Sequence, residues 1–241
     1  MRYGIISDIH GNLEALEEAM NALSHEKVDR IMQVGDIVGY GANPVECVRN
    51  SREAVSAAVC GNHDAGAAGL ISTRYFNDIA ERAVIWTRKR LEKEDASFLK
   101  GLPFVYRDSN LTLVHGTLNS PEEFYYMLDR NAAGATFDRM DTRICFVGHT
   151  HVPGIFSLKD GDVKHFMQEE YYMSKKEKLI VNAGSVGQPR DGDPRLSYCV
   201  YDSELGIVKL KRLPYNVKKA QDKILMAGLP AFLAYRLGGG T

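Results

Sequence analysis

Tyr3-Gly4-Ile5-Ile6-Ser7-Asp8-Ile9-His10-Gly11-Asn12 is the stretch on which the reading of the whole chain turns. An apolar run that stops at polar residues and a glycine reads as a buried parallel strand. Such a strand delivers its last side chains to the C-terminal edge of a sheet, where open α/β folds place ligands. Asp8 and His10, two apart on an extended backbone, point the same way, so a carboxylate oxygen and an imidazole nitrogen can reach one metal ion. The plainer alternative is an Asp that caps the next helix beside a surface His. Leu13, Leu16, Met20 and Leu23 then fall on one face of an amphipathic helix with acids opposite, and Asn12 is its expected N-cap.

The same sentence structure recurs outward from that stretch. A strand over Arg30–Val34 ends at Gly35-Asp36, and one over Ser56–Cys60 ends at Gly61-Asn62-His63-Asp64. Leu111–Val114 ends at His115-Gly116, and Ile144–Val147 ends at Gly148-His149-Thr150-His151. A helix between the second and third strands is predicted to start at Pro44, since proline suits a first helical turn. This βαβα alternation, with a polar cluster after each strand, predicts a layered α/β fold whose site lies on one sheet edge. Arg74 to Lys100 reads as helical, stopping at Gly101-Leu102-Pro103, with the single tryptophan, Trp86, filling the core beneath the sheet. Pro121 to Asp138 reads as helix and loop, with Tyr125 and Tyr126 near a rim. An Asp160-Gly161 hairpin and strands at Leu179–Val181, Ser197–Asp202 and Ile207–Leu213 fit a second sheet. The tail from Val217 to Leu237 is helical, broken at Gly228-Leu229-Pro230, with one apolar face docked on the body.

Composition narrows the classes of function. The 241 residues suit a single domain over 1–241 with one substantial core. Thirty Lys and Arg against 31 Asp and Glu leave a formal charge of -1, so no overall field draws nucleic acid or an anionic membrane. Cys47, Cys60, Cys145 and Cys199 lie far apart without a Cys-x-x-Cys pair and read as reduced, buried thiols. That points to the cytoplasm. No apolar stretch approaches the roughly 18 residues of a membrane span, and no basic-then-apolar leader opens the chain, so a soluble, unprocessed protein is expected.

Five of the seven histidines (His10, His63, His115, His149 and His151) follow an apolar run beside or within two residues of a glycine, as do Asp8, Asp36 and Asn62. Packing alone gives histidines no reason to choose strand ends. If the strands are neighbours, these side chains converge on one pocket with three oxygen donors and four imidazoles, a two-metal set. Mixed O/N donors suit Mn²⁺, Fe, Zn²⁺, Ni²⁺ or Co²⁺ over Ca²⁺ or Mg²⁺. A bridging carboxylate must hold two such cations together, and Asp36 is the choice.

In order, the blocks Asp8-x-His10, Gly35-Asp36, Gly61-Asn62-His63-Asp64, His115 and Gly148-His149-Thr150-His151 resemble those of the calcineurin-like metallophosphoesterase superfamily. The stretch from Asn182 to Arg195 resembles its small prokaryotic branch. The resemblance implies a four-layer αββα sandwich of two mixed β-sheets flanked by helices. It implies two divalent transition-metal ions, one held by Asp8, His10, Asp36 and His151, the other by Asp36, Asn62, His115 and His149. His63 would meet the phosphate and protonate the leaving group, oriented by Asp64 or Asp36. A dinuclear phosphoesterase is therefore expected, cleaving a small phosphomonoester or phosphodiester by attack of a metal-bridged hydroxide. Protein phosphatases and dinucleoside polyphosphate hydrolases of the superfamily follow the Gly-Asp with Asp-Arg-Gly; here Ile37-Val38-Gly39-Tyr40-Gly41 follows, which argues against their substrates. The competing class is a non-catalytic scaffold, like the retromer subunit that shares the superfamily's pattern, but every ligand position here is filled.

Three further features admit two readings each. Gly184-Ser185-Val186-Gly187 could bring backbone N–H groups to a phosphate or form a tight strand exit. Arg190 and Arg195 could bind substrate, though arginines beside Asp191 and Asp193 more often form a solvated charge cluster. Tyr171-Tyr172 near Lys175, Lys176 and Lys178 could be a nucleic-acid surface, but an exposed hairpin flank is the preferred reading. His25 and His165 stand outside the blocks and receive no function.

Overall fold

Strand β1 (Arg2–Ile6) opens the chain and leads through helix α1 (Leu13–His25) to β2 (Arg30–Gln33), α2 (Pro44–Ala54), β3 (Ala57–Ala58) and α3 (Asn62–Ala68). The structure is a computed structural model that describes residues 1–241, the side chain of Tyr75 excepted. Helices α4 (Asp78–Arg88) and α5 (Lys93–Lys100) precede β4 (Val105–Arg107), β5 (Thr112–Val114), α6 (Arg130–Phe137) and β6 (Ile144–Val147). Then come β7 (Gly154–Lys159), β8 (Asp162–Phe166), β9 (Glu170–Tyr172), β10 (Lys178–Asn182), β11 (Leu196–Asp202) and β12 (Ile207–Leu213), before the helical pair α7 (Val217–Met226) and α8 (Ala231–Gly239).

The strands form two six-stranded sheets, β3-β2-β1-β11-β12-β9 and β4-β5-β6-β10-β7-β8. Each has a parallel run of three, β1, β2 and β3 in one and β5, β6 and β10 in the other, extended by antiparallel neighbours. Alternation of side chains builds the layers. Tyr3, Ile5, Cys199 and Tyr201 face Phe146, Leu179 and Val181 between the sheets. The residues in between turn outward: Ile6, Tyr198 and Val200 pack beneath Leu16, Leu23 and Val48 of α1 and α2, and Ile180, Cys145 and Val147 beneath Phe137 of α6. Each such large apolar side chain contributes about 1.5–3 kcal/mol by leaving water. The result is the αββα sandwich expected. No helix among the described residues is long and apolar enough to cross a membrane, and the four cysteines are buried and free.

Several elements differ from expectation. The helical stretch after Arg74 is cut in two, because Asp95 accepts a hydrogen bond from the Glu92 amide (3.3 Å) and pairs with Arg49, starting a new helix at Lys93. Trp86 does not lie beneath a sheet: its indole Nε1 donates to the Ala227 carbonyl (3.0 Å), so it ties α4 to the C-terminal helical pair, with Arg90 over its ring. The Tyr171-Tyr172 segment is β9, an edge strand paired with β12. The strand ending before Gly61 has only two ladder residues, Ala57 and Ala58.

Candidate metal centre

Five of the six parallel strands, β1, β2, β3, β5 and β6, end at one cleft, and that convergence of two sheets places the predicted site residues. Asp8 and His10 follow β1, Asp36 follows β2, Asn62 and His63 begin α3 after β3, His115 follows β5, and His149 and His151 follow β6. Except for Asn62, all of these are buried. Asp8 and His10 are not on extended backbone as the alternation argument assumed. Both have φ of 51°, and Asp36, His149 and His151 also lie in the left-handed region at 55°, 68° and 61°. Non-glycine residues rarely adopt this conformation, and clusters of it mark sites where the surroundings dictate side-chain direction. Tight turns, rather than strand pleating, aim these side chains.

Donor atoms gather in three overlapping sets: Asp8, His10 and His151; His10, Asp36 and His63; and Asp36, His115 and His149. Within each set, all lie within 4.8 Å of one another. Asp36 Oδ2 stands 3.2 Å from His115 Nε2 and 3.6 Å from His10 Nε2, while Oδ1 accepts the His63 amide (2.8 Å). The Asp8 carboxylate is held by the Ser7 hydroxyl (2.6 Å) and the His149 amide (3.0 Å), leaving Oδ1 3.3 Å from His151 Nε2.

The imidazoles are set from behind. Nδ1 of His10, His115 and His151 faces the carbonyls of Val38 (3.1 Å), Val34 (2.8 Å) and Gln188 (2.5 Å). Donation there assigns the tautomer of the neutral rings His10 and His151 and turns their Nε2 lone pairs inward. His10 Nε2 and His151 Nε2 consequently face each other at 3.0 Å, two acceptors that repel unless positive charge lies beside them. Asn62 Oδ1 is buried without a hydrogen-bond partner. Burial holds His10, His149 and His151 well below the usual imidazole range, so they are neutral donors. It pushes Asp8 up to about 7, against His115 and with Asp36 adding to the push. For His115 burial is outweighed by the Asp36 carboxylate, which draws it up to about 9. Mixed oxygen and neutral nitrogen donors, two facing lone pairs and one unsatisfied amide oxygen fit divalent transition-metal cations.

His63 is oriented differently from expectation. Asp64 is spent on the backbone amides of Val38 and Gly61 (both 3.1 Å), and Asp36 binds the His63 amide, not its ring. His63 Nδ1 has no partner. The ring is fixed by packing against Tyr40 (4.4 Å between centroids), His10 (4.8 Å) and Phe76 (5.1 Å). Burial lowers its pKa to about 4, with Asp36 opposing and Arg190 reinforcing. A side chain at Gly39 would strike the His63 imidazole, and its φ of 98° also demands glycine.

The other ambiguous segments are resolved by their partners. The Val186 and Gly187 amides bind the Ser7 and Asp8 carbonyls (both 2.9 Å), and Ser185 Oγ binds the Asp8 carbonyl (2.7 Å). These groups brace the loop that carries Asp8 and His10 instead of facing the cleft. Arg195 pairs with Asp193 at the exposed surface (2.7 Å), and Asp191 pairs with Arg212. Arg190 leaves that cluster: it hydrogen-bonds Gln188 Oε1 (2.8 Å), lies over the Tyr40 ring and lines the cleft of about 130 Å³ together with Asp36, Asn62, His63, His149 and His151. Tyr40 and Tyr126 were not singled out as site residues from sequence. Tyr126 stacks on His149, with centroids 3.9 Å apart. The flanking glycines at 39 and 41 were the only local signal for Tyr40.

Comparison with known proteins agrees with this geometry. The chain is 37% identical over 237 residues to the uncharacterized protein MJ0912 of Methanocaldococcus jannaschii, covering 97% of this chain and 96% of that one. A metallophosphoesterase from Sphaerobacter thermophilus has 37% identity and a TM-score of 0.88, with 100% of this chain and 99% of that chain covered. The hypothetical protein PH1004 of Pyrococcus horikoshii OT3 shares the fold, with a TM-score of 0.78 at 19% identity over 100% of this chain and 98% of its own. A model of the calcineurin-like phosphoesterase superfamily domain matches residues 1–206, the span that carries every strand end described above. This chain belongs to the calcineurin-like phosphoesterase superfamily.

Proposed function

We propose that the protein is a dinuclear, metal-dependent hydrolase of small phosphomonoesters or phosphodiesters. The observation that carries this reading is the meeting of His10 and His151 Nε2 at 3.0 Å beside Asp8, with Asp36 between His10 and His115. In it, Asp8, His10, Asp36 and His151 would hold one ion and Asp36, Asn62, His115 and His149 the other, Asp36 serving both. Mn²⁺, Fe, Zn²⁺, Ni²⁺ and Co²⁺ all suit these donors. Bound there, such cations make water a nucleophile near neutral pH and neutralise phosphoryl charge. The chain supplies the rest. Arg190 draws the anionic ester into the cleft, and Tyr126, packed on His149, limits water at one side. Attack on phosphorus forms one P–O bond as the ester P–O bond breaks, and the departing alkoxide takes its proton from water, or from His63 once the anionic ester restores the proton that burial removes.

Protein stripped with chelator and dialysed is expected to lose hydrolysis of p-nitrophenyl phosphate and its bis ester and to regain it with Mn²⁺. Full turnover in EDTA after exhaustive dialysis would overturn the reading.

A further inference from the structure

Beside the metal cleft lies a second cavity of about 510 Å³, within the size range of small-molecule sites. The two share Tyr40 and Asn77 as a common wall. Ile79 and Phe232 give the second cavity apolar sides, and Arg236 of α8 supplies a cation. Asp78 is at the lip, exposed to water that screens it. Arg236 is half-buried; the Thr241 main-chain oxygen engages its Nε, and its guanidinium lies over the Phe232 ring. Burial, and then repulsion from Arg190, lower its pKa to about 10. The two guanidiniums thus line adjoining cavities across the Tyr40–Asn77 wall, and the polar partners of Arg190 and Arg236 among the described residues include no Asp or Glu side chain. Such an arrangement is costly when empty and is relieved by an anion.

We propose that the second cavity is a subsite for a further phosphate of the substrate. Arg236 takes a phosphate borne by the alcohol half of the ester, while Tyr40, Ile79 and Phe232 hold the apolar, ring-bearing body that joins it to the reacting phosphorus. The substrate class is thus a phosphoester of an alcohol that already carries a phosphate, as in a nucleoside bisphosphate. This deepens the phosphoesterase reading and rests on it. Arg236 lies on α8, beyond residues 1–206 that match the superfamily model, whereas Tyr40, Asn77 and Ile79 lie within them.

The test is calorimetric titration of the full, Mn²⁺-loaded chain with 2′-deoxyadenosine 5′-monophosphate and with 2′-deoxyadenosine 3′,5′-bisphosphate at fixed ionic strength. The bisphosphate is expected to bind at least about tenfold more tightly, the scale of one charge-assisted contact. Arg236→Gln should collapse that ratio to below about threefold, and Arg236→Lys should keep most of it, which separates loss of charge from loss of fold. Equal affinity of the two nucleotides for the natural chain, or a ratio unchanged in Arg236→Gln, overturns the subsite. A ratio that depends on Arg236 in protein that hydrolyses no phosphoester upholds the subsite and sinks the hydrolase reading. Mn²⁺-dependent hydrolysis without the ratio does the reverse.

Discussion

Asp36 links three residues of the centre, with one carboxylate oxygen on the His63 amide and the other between His10 and His115. Asp36→Asn keeps the shape but removes the charge and one metal-binding lone-pair site. Metal content measured by atomic absorption should fall, with Mn²⁺-supported turnover down by at least about 100-fold, because even the outer partners of metal ligands are worth 10–100-fold. Gly39→Ala should separate metal binding from turnover. The new methyl collides with the His63 ring at a left-handed backbone position, a strain of about 1–3 kcal/mol, so turnover should drop while bound metal is retained. Undiminished kcat in this variant would show that the His63 position is irrelevant. At this scale the sequence was informative about which residues meet, since Asp, Asn and His at five strand ends have few other reasons to be there. It was uninformative about what orients them. The carbonyls behind His10, His115 and His151 belong to Val38, Val34 and Gln188, and a backbone carbonyl leaves no signature in residue type.

Helices α7 and α8 are anchored by contacts that can be removed singly. Trp86→Phe retains the ring but leaves the Ala227 carbonyl without its indole donor; a loss of about 0.5–1.5 kcal/mol is expected, read as a fall of a few degrees in Tm. Glu14 of α1 lies within 2.6 Å of Lys223 and 3.1 Å of Lys219 on α7. Burial alone would raise its pKa, but the two lysines outweigh it and hold it below the ordinary 4.5. A depressed folded-state pKa gives stability that is present above 4.5 and lost as pH falls through the lower folded value. The Tm gap between the natural chain and Glu14→Gln should therefore be widest near neutral pH and close in acid. Element legibility followed burial. Strands with both faces covered, such as Ile144–Val147, were plain as apolar runs, and α1 showed its period. The break before Lys93 was missed because α4 and α5 share one hydrophobic phase, and the short edges β4 and β9 because three residues carry no period.

Across the molecule, neither sheet alone can hold a metal pair, since Asp8, His10, Asp36 and Asn62 come from one and His115, His149 and His151 from the other. Cation binding should then stabilise the docked sheets against global unfolding. With Mn²⁺ at 100 times its dissociation constant, about 2.7 kcal/mol is expected for one site, measured as a rise in the urea midpoint over chelator-treated protein. An unchanged midpoint would mean that the sites do not bind. The α/β layering was legible from the alternation of strand and helix and the four-layer order only through the family resemblance, whereas Arg190 and Arg236 could not be placed, because their approach to the cleft depends on how the loop after β10 and the last helix fold back. The pairing of β1 with β11 carries a temporal corollary. During synthesis the first strand emerges almost two hundred residues ahead of its antiparallel neighbour, and the loop that braces Asp8 emerges nearly as late. Ribosome-tethered chains halted before Leu196 would lack that neighbour, and the edge of β1 stays open until translation has passed it.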